Sequence, residues 1–304
     1  MLIGVYAYLL LLCIVCWVTG YTLGGGTWVY AGGMIGMILC AAVALRISYC
    51  LFLMRERTLL PLLLCMLLLS TGQAFIPLER GGIGRLCIGV WIYTLFSTYH
   101  NTGSTRQGYV AGLIVGTGSL FWGYMLWCLP LTGMVMYRFL SLTAKTFVAS
   151  LLGAGTVYWI VGGFCSLSGD YALLLDPLQA VLQIAPLNWS GIAWVEGCWM
   201  AAYTLFAAIA VLCTFGRHYD ENRRTQSFYG FLLLYGLLTL LLTALYGHGP
   251  AGEIFQCLCI PASIFLADFY TTSRSGWRRW AFHAMMMALL ALYLMAMIAQ
   301  WNLL

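Results

Sequence analysis

Apolar windows of roughly 18–25 residues follow one another along almost the whole chain, each long enough to cross a hydrocarbon layer of about 30 Å. That recurrence removes most folds at once. A segment in lipid must satisfy every backbone N–H and C=O internally, which leaves α-helices or a closed barrel. The runs are continuous rather than alternating, so the barrel pattern is absent and helices remain. Composition agrees, because only 8% of the 304 residues are charged, against about 25% in a soluble domain. The expected fold class is all-α: a polytopic transmembrane helix bundle forming a single integral membrane domain over residues 1–304.

Hydropathy places spans near 3–19, 28–53, 58–78, 86–100, 108–120, 121–137, 143–163, 190–214, 228–246, 254–271 and 281–303, about eleven in all. Basic residues are retained on the cytoplasmic side. Arg55, Arg57, Arg106, Arg138, Lys145, Arg217, Arg223, Arg224, Arg274, Arg278 and Arg279 all fall on one side if the amino terminus is cytoplasmic and the carboxyl terminus periplasmic. The opposite side receives only Arg80 and Arg85 in its connections. The eleven-span count depends on dividing 108–137 into two limbs. The first span lacks a basic flank and a small-residue cleavage site, so it reads as a retained helix rather than a signal peptide.

One outer connection is long. Asp176, Pro177 and Gln179 carry a helix-start pattern. Leu178, Val181, Leu182 and Ala185 then share one face while Gln179 and Gln183 face away, the pattern of an amphipathic helix lying in the outer interface. Trp28, Trp122, Trp159, Trp189 and Trp301, at the expected outer ends, fit an aromatic belt.

The stretch GYVAGLIVGTGSLFWGYMLW, residues 108–127, is rich in glycine. A phosphate-binding P-loop needs a lysine and a preceding strand, and neither is here. Gly108, Gly112 and Gly116 recur every four residues and place three missing side chains on one helical face. In lipid such a face is a helix-packing seam, because a neighbouring backbone can approach it closely. The following GTGSLFW segment reads as the turn of a short hairpin, buried against other helices. Gly32 and Gly36 suggest a second seam.

Ionised groups in hydrocarbon are costly unless paired or wetted, so the charges near spans are the functional candidates. Glu79, Arg80 and Arg85 cluster in PLERGGIGR, and Glu196 lies one to two turns inside a span. Together they define a candidate outward pocket, with the arginines donating to phosphate or pyrophosphate and a glutamate serving as base or proton carrier. The alternative is an ordinary interfacial Glu79–Arg80 pair and a structural partner for Glu196. Asp268 is expected to reach the headgroups or pair with Arg274. Twelve cysteines fall almost wholly in apolar spans, where they behave as small hydrophobes. Cys13–Cys16 and Cys257–Cys259 lack a second ligand pair, so no metal and no cofactor is expected. The net charge of +5 reports inner-leaflet anchoring, not nucleic-acid binding.

The segment from Tyr99 to Gly163 resembles the middle of an uncharacterised family of polytopic inner-membrane proteins of Bacteroidota-type bacteria. The matching elements are Gly112, Gly116, Ser119, Leu120, Arg138 and Leu151-Leu152-Gly153. The terminal stretch IPASIFLADFYTTSRSGWRRW and the helix after it are also similar to that family's last helix pair. The resemblance implies a bacterial inner membrane and no particular activity; in outline it extends distantly to lipid-linked glycan polymerases.

Two functional expectations stand side by side. In the first the chain is a non-catalytic membrane component of envelope assembly or export, in contact with the lipid bilayer and membrane-protein partners. In the second it is an envelope-glycan polymerase or glycosyltransferase-like enzyme that holds an anionic, lipid-linked substrate at the outer face. A proton-coupled transporter working through Glu196 is a third.

Overall fold

The computed structural model describes residues 2–23, 28–50, 58–72, 80–184, 194–218, 223–246, 251–271 and 276–301. Among them every regular element is a helix. In chain order these are α1 (Leu2–Leu23), α2 (Trp28–Cys50), α3 (Leu60–Gly72), α4 (Arg80–Phe96), α5 (Thr105–Phe121), the 3-10 helix η1 (Gly123–Trp127) and α6 (Cys128–Arg138). There follow α7 (Ala144–Ser168), α8 (Ala172–Leu182), α9 (Trp194–His218), α10 (Arg223–Leu245), α11 (Ala251–Gln256), α12 (Cys259–Thr271) and α13 (Gly276–Trp301).

Five stretches among the described residues are long and apolar enough to cross a membrane: Ala31–Tyr49, Ala144–Ser168, Gly197–Gly216, Arg223–Leu245 and Gly252–Thr271. Gly4–Val18, Leu60–Thr71, Gly81–Phe96, Ala172–Leu182 and Trp280–Met295 are shorter apolar helices. The chain therefore has the helices of a membrane protein.

The contacts divide the chain into two compact units. Unit 1 comprises Met1–Leu78, Pro186–Gln226 and Leu232–Leu304; unit 2 comprises Glu79–Ala185 and Ser227–Phe231. The centre of unit 1 is α12, in which every residue from Cys259 to Tyr270 is buried. It packs against α2, α3, α9 and α13. The Tyr293 hydroxyl donates to the Cys16 carbonyl at 3.1 Å, and the Tyr8 hydroxyl to Met287 Sδ at 3.0 Å.

Unit 2 is built on the pairing of α5 with α7. A methyl group at Gly108 would stand 2.9 Å from the Thr146 carbonyl oxygen. One at Gly112 would collide with the Ser150 carbonyl, and one at Gly116 would stand 3.0 Å from Ala154 Cα. Each pairing advances four residues on both helices, so α5 and α7 run parallel. A parallel pair needs a return limb between its members. η1 and α6 supply about 26 Å of rise, against about 25 Å for α5. At one end of the unit Gly118 meets Met125; at the other, Met136 Cε lies 3.5 Å from where a Gly108 Cβ would stand. The α6 limb thus returns the full length of α5. The helix α4 descends beside them, with Gly84 against Trp122 at its start and Phe96 stacked on Phe139 at its end.

Local chemistry sets the turns. At the start of α7, Thr143 Oγ1 accepts from the Thr146 N–H at 3.2 Å and Thr146 Oγ1 accepts from the Thr143 N–H at 2.8 Å, a reciprocal cap worth about 1 kcal/mol. Gly169, at φ 74°, ends the helix. The end of α6 uses Leu140 in the same left-handed region, at φ 54°. There the Met136 carbonyl accepts from Ser141 and Leu142, both at 3.0 Å.

The faces of α7 are sorted by size. Thr146, Ser150, Gly153, Ala154 and Val157 are buried on the α5 side. Val148, Leu151, Leu152, Trp159, Ile160 and Phe164 are exposed. An apolar face of that extent suits lipid as solvent and is foreign to a water-facing monomer.

The helix α8 starts earlier than its sequence pattern implies. It begins at Ala172, not after Asp176, with Tyr171 at the N-cap; just before it Asp170 Oδ1 accepts the Ala172 N–H at 2.9 Å, an Asx-type turn that leads into the helix. Pro177 falls inside the helix and is buried. Its carbonyl faces Gly123 closely enough that a methyl group there would collide with it. Leu178 and Val181 are half-buried, whereas Leu173, Leu175 and Leu182 are exposed.

Candidate functional site

The strongest feature is the start of α4. Its first turn contains Gly81 and Gly82, and a helix N-terminus leaves its first backbone N–H groups without intrahelical partners. A helical side chain leans toward the N-terminus, and Arg85 does so: its Nη2 lies 3.5 Å from where a Gly82 Cβ would stand. Arg85 is 6% exposed. One turn away, Gly84 lets the Trp122 ring settle directly onto the helix, with Trp122 Cβ 2.9 Å from the position of a Gly84 Cβ. The Trp122 indole N–H is buried with no hydrogen-bond partner among the described residues. Trp122 was expected in the exposed aromatic belt, but it is 6% exposed because the missing side chain at Gly84 opens a seat for it.

Of the other outward-pocket candidates, Glu79 lies outside the described residues, as do the side chains of Arg80 and Glu196. The backbone of Arg80 opens α4, and Glu196 belongs to the first turn of α9 in unit 1. Arg85 is therefore the one member of that set whose side-chain surroundings are defined.

Gly108, Gly112 and Gly116 hold a neighbouring helix. The space beside each is filled by α7 backbone, and Gly153 on α7 reciprocates toward the Tyr109 carbonyl and the Leu113 N–H. Hydrogen bonds finish the seam at its edges, from Tyr109 to Thr156 at 3.2 Å and from Ser119 to Tyr158 at 2.9 Å. Beside it an aromatic cluster joins Phe96, Tyr99, Phe139, Phe228 and Phe231, with the Phe96–Phe228 centroids 4.5 Å apart. Trp91 meets Phe231 and donates its indole N–H to Thr132 Oγ1 at 3.0 Å.

Three features of unit 1 go beyond the sequence reading. Asp268 is 3% exposed and accepts from Thr214 Oγ1 at 3.2 Å; it is a core carboxylate rather than one reaching the headgroups, and Arg274, the other partner expected for it, lies outside the described residues. The sequence hint was its place in a run of residues too apolar to tolerate a free charge. Gln256 is 1% exposed, and both of its amide atoms lack a hydrogen-bond partner among the described residues; a lone amide in EIFQCLCIPASIF is the corresponding signal. Finally, α9, α10 and α12 border an apolar groove of about 270 Å³ whose walls include Ala208, Gly236, Leu258, Pro261 and Phe265. The described cysteines are free thiols, most of them buried.

Compared with known proteins, the chain matches no family model, no curated protein and no solved structure.

Proposed function

We propose that the chain is a multi-pass protein of the bacterial inner membrane that acts as a non-catalytic component of envelope assembly or export. In this reading it crosses the membrane about eleven times, with its amino terminus cytoplasmic and its carboxyl terminus periplasmic. The observation that carries the topology is the parallel α5–α7 pair with its full-length return through η1 and α6. That path puts Arg106 and Arg138 at the same end of unit 2, as retention of basic residues on the cytoplasmic side requires. At the opposite end α8 packs against η1, which supports reading it as an interfacial helix. The packing role is supported by the glycines of α5, whose missing side chains are used for helix contact and leave no room for a ligand.

Purification in mild detergent, with identification of co-purifying proteins and lipids, tests this reading. A defined membrane-protein partner at constant stoichiometry is expected. A monomer that carries an isoprenoid-linked glycan and extends it overturns it. Such an outcome would favour a second reading, an enzyme acting on a lipid-linked substrate at the outer face, which the buried cation Arg85 supports.

A further inference from the structure

We propose that the end of unit 2 where α5 and α7 begin and α6 finishes binds an anionic phospholipid. Basic side chains reach that end from four places in the chain. The approach of Gly108 to Thr146 sets the starts of α5 and α7 side by side, which brings Arg106 and Lys145 to nearly the same level. Met136, which faces Gly108, carries the end of α6 there, and Arg138 with it. The His100 N–H donates to the Phe139 carbonyl at 3.0 Å and ties the loop before α5 to the same turn. All four side chains are exposed. No acidic residue stands anywhere between residues 80 and 169. The next carboxylate, Asp170, follows the far end of α7, and the 25 residues of that helix rise about 37 Å. That is several times the distance over which salt screens a charge. A cation in the first turn of a helix also opposes the helix dipole, so neither Arg106 nor Lys145 is placed for the stability of its own helix.

What adjoins the charge decides which anion it meets. Met134, Tyr137 and Leu140 at the end of α6, and Val148, Leu151 and Leu152 on α7, are all exposed. Phe147 lies over Gly133, where a Cβ would stand 3.0 Å from its ring, and joins the two helices at this corner. The surface therefore passes from basic to apolar along both helices. A phospholipid has the same order, a phosphate and then acyl chains, whereas an acidic peptide would leave the apolar part uncovered. Clusters of basic residues at a membrane surface draw anionic headgroups, and the stems of lysine and arginine lie along apolar surface with their charges at headgroup level. The site rests on the chain's being embedded in a bilayer, and it holds whichever face of the bilayer this end meets.

The test uses the full chain in nanodiscs of equal parts phosphatidylcholine and phosphatidylglycerol. Native mass spectrometry counts the lipids that stay bound on extraction into detergent. Incorporation into the disc tests the embedding, and the class of lipid retained tests the site. Phosphatidylglycerol is expected to be held in preference to phosphatidylcholine, and less so at high salt. Arg138→Gln and Lys145→Gln are each expected to weaken that retention about fivefold, and the two together about twenty-five-fold. Arg46→Gln removes an equally exposed charge from α2 in unit 1 and is expected to leave retention unchanged. Arg138→Lys and Lys145→Arg keep the charge and are expected to hold the lipid as the wild type does, which separates a lost contact from a folding defect. The proposal is overturned if phosphatidylglycerol is held no better than phosphatidylcholine, or if the double variant holds it as well as the wild type. It is equally overturned if Arg46→Gln loses as much as Arg138→Gln, which would make the effect one of net charge.

Discussion

Replacing Gly112 with alanine tests the central packing claim with a single methyl group. At that position the new carbon would stand 2.7 Å from the Ser150 carbonyl carbon and 2.9 Å from Ser150 Cα, besides striking the carbonyl oxygen. Carbon atoms sit comfortably about 3.5–4.0 Å apart, so α5 and α7 must separate by about 1 Å. The obstacle is backbone, which has no rotamer to change. The shift therefore propagates to the Gly108–Thr146 and Gly116–Ala154 contacts. Overpacking of this kind costs about 1–3 kcal/mol, and the rigid neighbour argues for the upper end. Alanine returns about 1 kcal/mol through its better helix propensity, leaving a net loss of about 2 kcal/mol. Gly155→Ala is the matched control, since a methyl group there meets nothing within 4 Å, and it is expected to be neutral or stabilising by up to about 1 kcal/mol. Detergent-micelle unfolding with SDS, followed by far-UV circular dichroism, reads both variants. If Gly112→Ala unfolds within about 0.5 kcal/mol of wild type, or Gly155→Ala loses as much as Gly112→Ala, the parallel seam is wrong.

The same assay separates hard from soft obstacles elsewhere in unit 2. Gly84→Ala pushes against the Trp122 ring at 2.9–3.1 Å and should cost about 1–3 kcal/mol. Gly230→Ala meets only the Arg138 guanidinium, which can swing aside, so its cost should stay under about 1 kcal/mol. Thr132→Val keeps the shape but removes the hydroxyl that accepts the Trp91 N–H, with an expected loss of about 0.5–1.5 kcal/mol. Adding Trp91→Phe should then cost less than it does alone, and a double-mutant cycle without coupling would refute the hydrogen bond. Leu140→Gly relieves a left-handed leucine worth about 1–2 kcal/mol, against about 0.5–1 kcal/mol for glycine's extra freedom when unfolded. A net gain approaching 1 kcal/mol is therefore expected, and a lowered melting temperature would count against the strain.

Continuous apolar runs with few charges leave the backbone no polar solvent, so helices follow from the sequence without knowledge of any contact. The spacing of Gly108, Gly112 and Gly116 likewise specifies a bare helical face, because periodicity is a local property. Which helix fills that face is not local. Thr146, Ser150 and Ala154 look ordinary in sequence, and only the tertiary pairing makes them the complement. In lipid, helices sort their faces by size more than by polarity. The buried and exposed sides of α7 therefore carry no contrast that hydropathy can register. For the same reason nothing marks α12 as the wholly enclosed centre of unit 1, or Asp268 as a core residue rather than an interfacial one. Arg85 joins the two levels: its position near a helix start is written in RGGIGR, but its burial depends on what packs around α4. The sequence alone determined the solvent and the kind of element, since those depend on composition and period. Partners and burial were decided by the tertiary structure, because they depend on residues far apart in the chain meeting at one place.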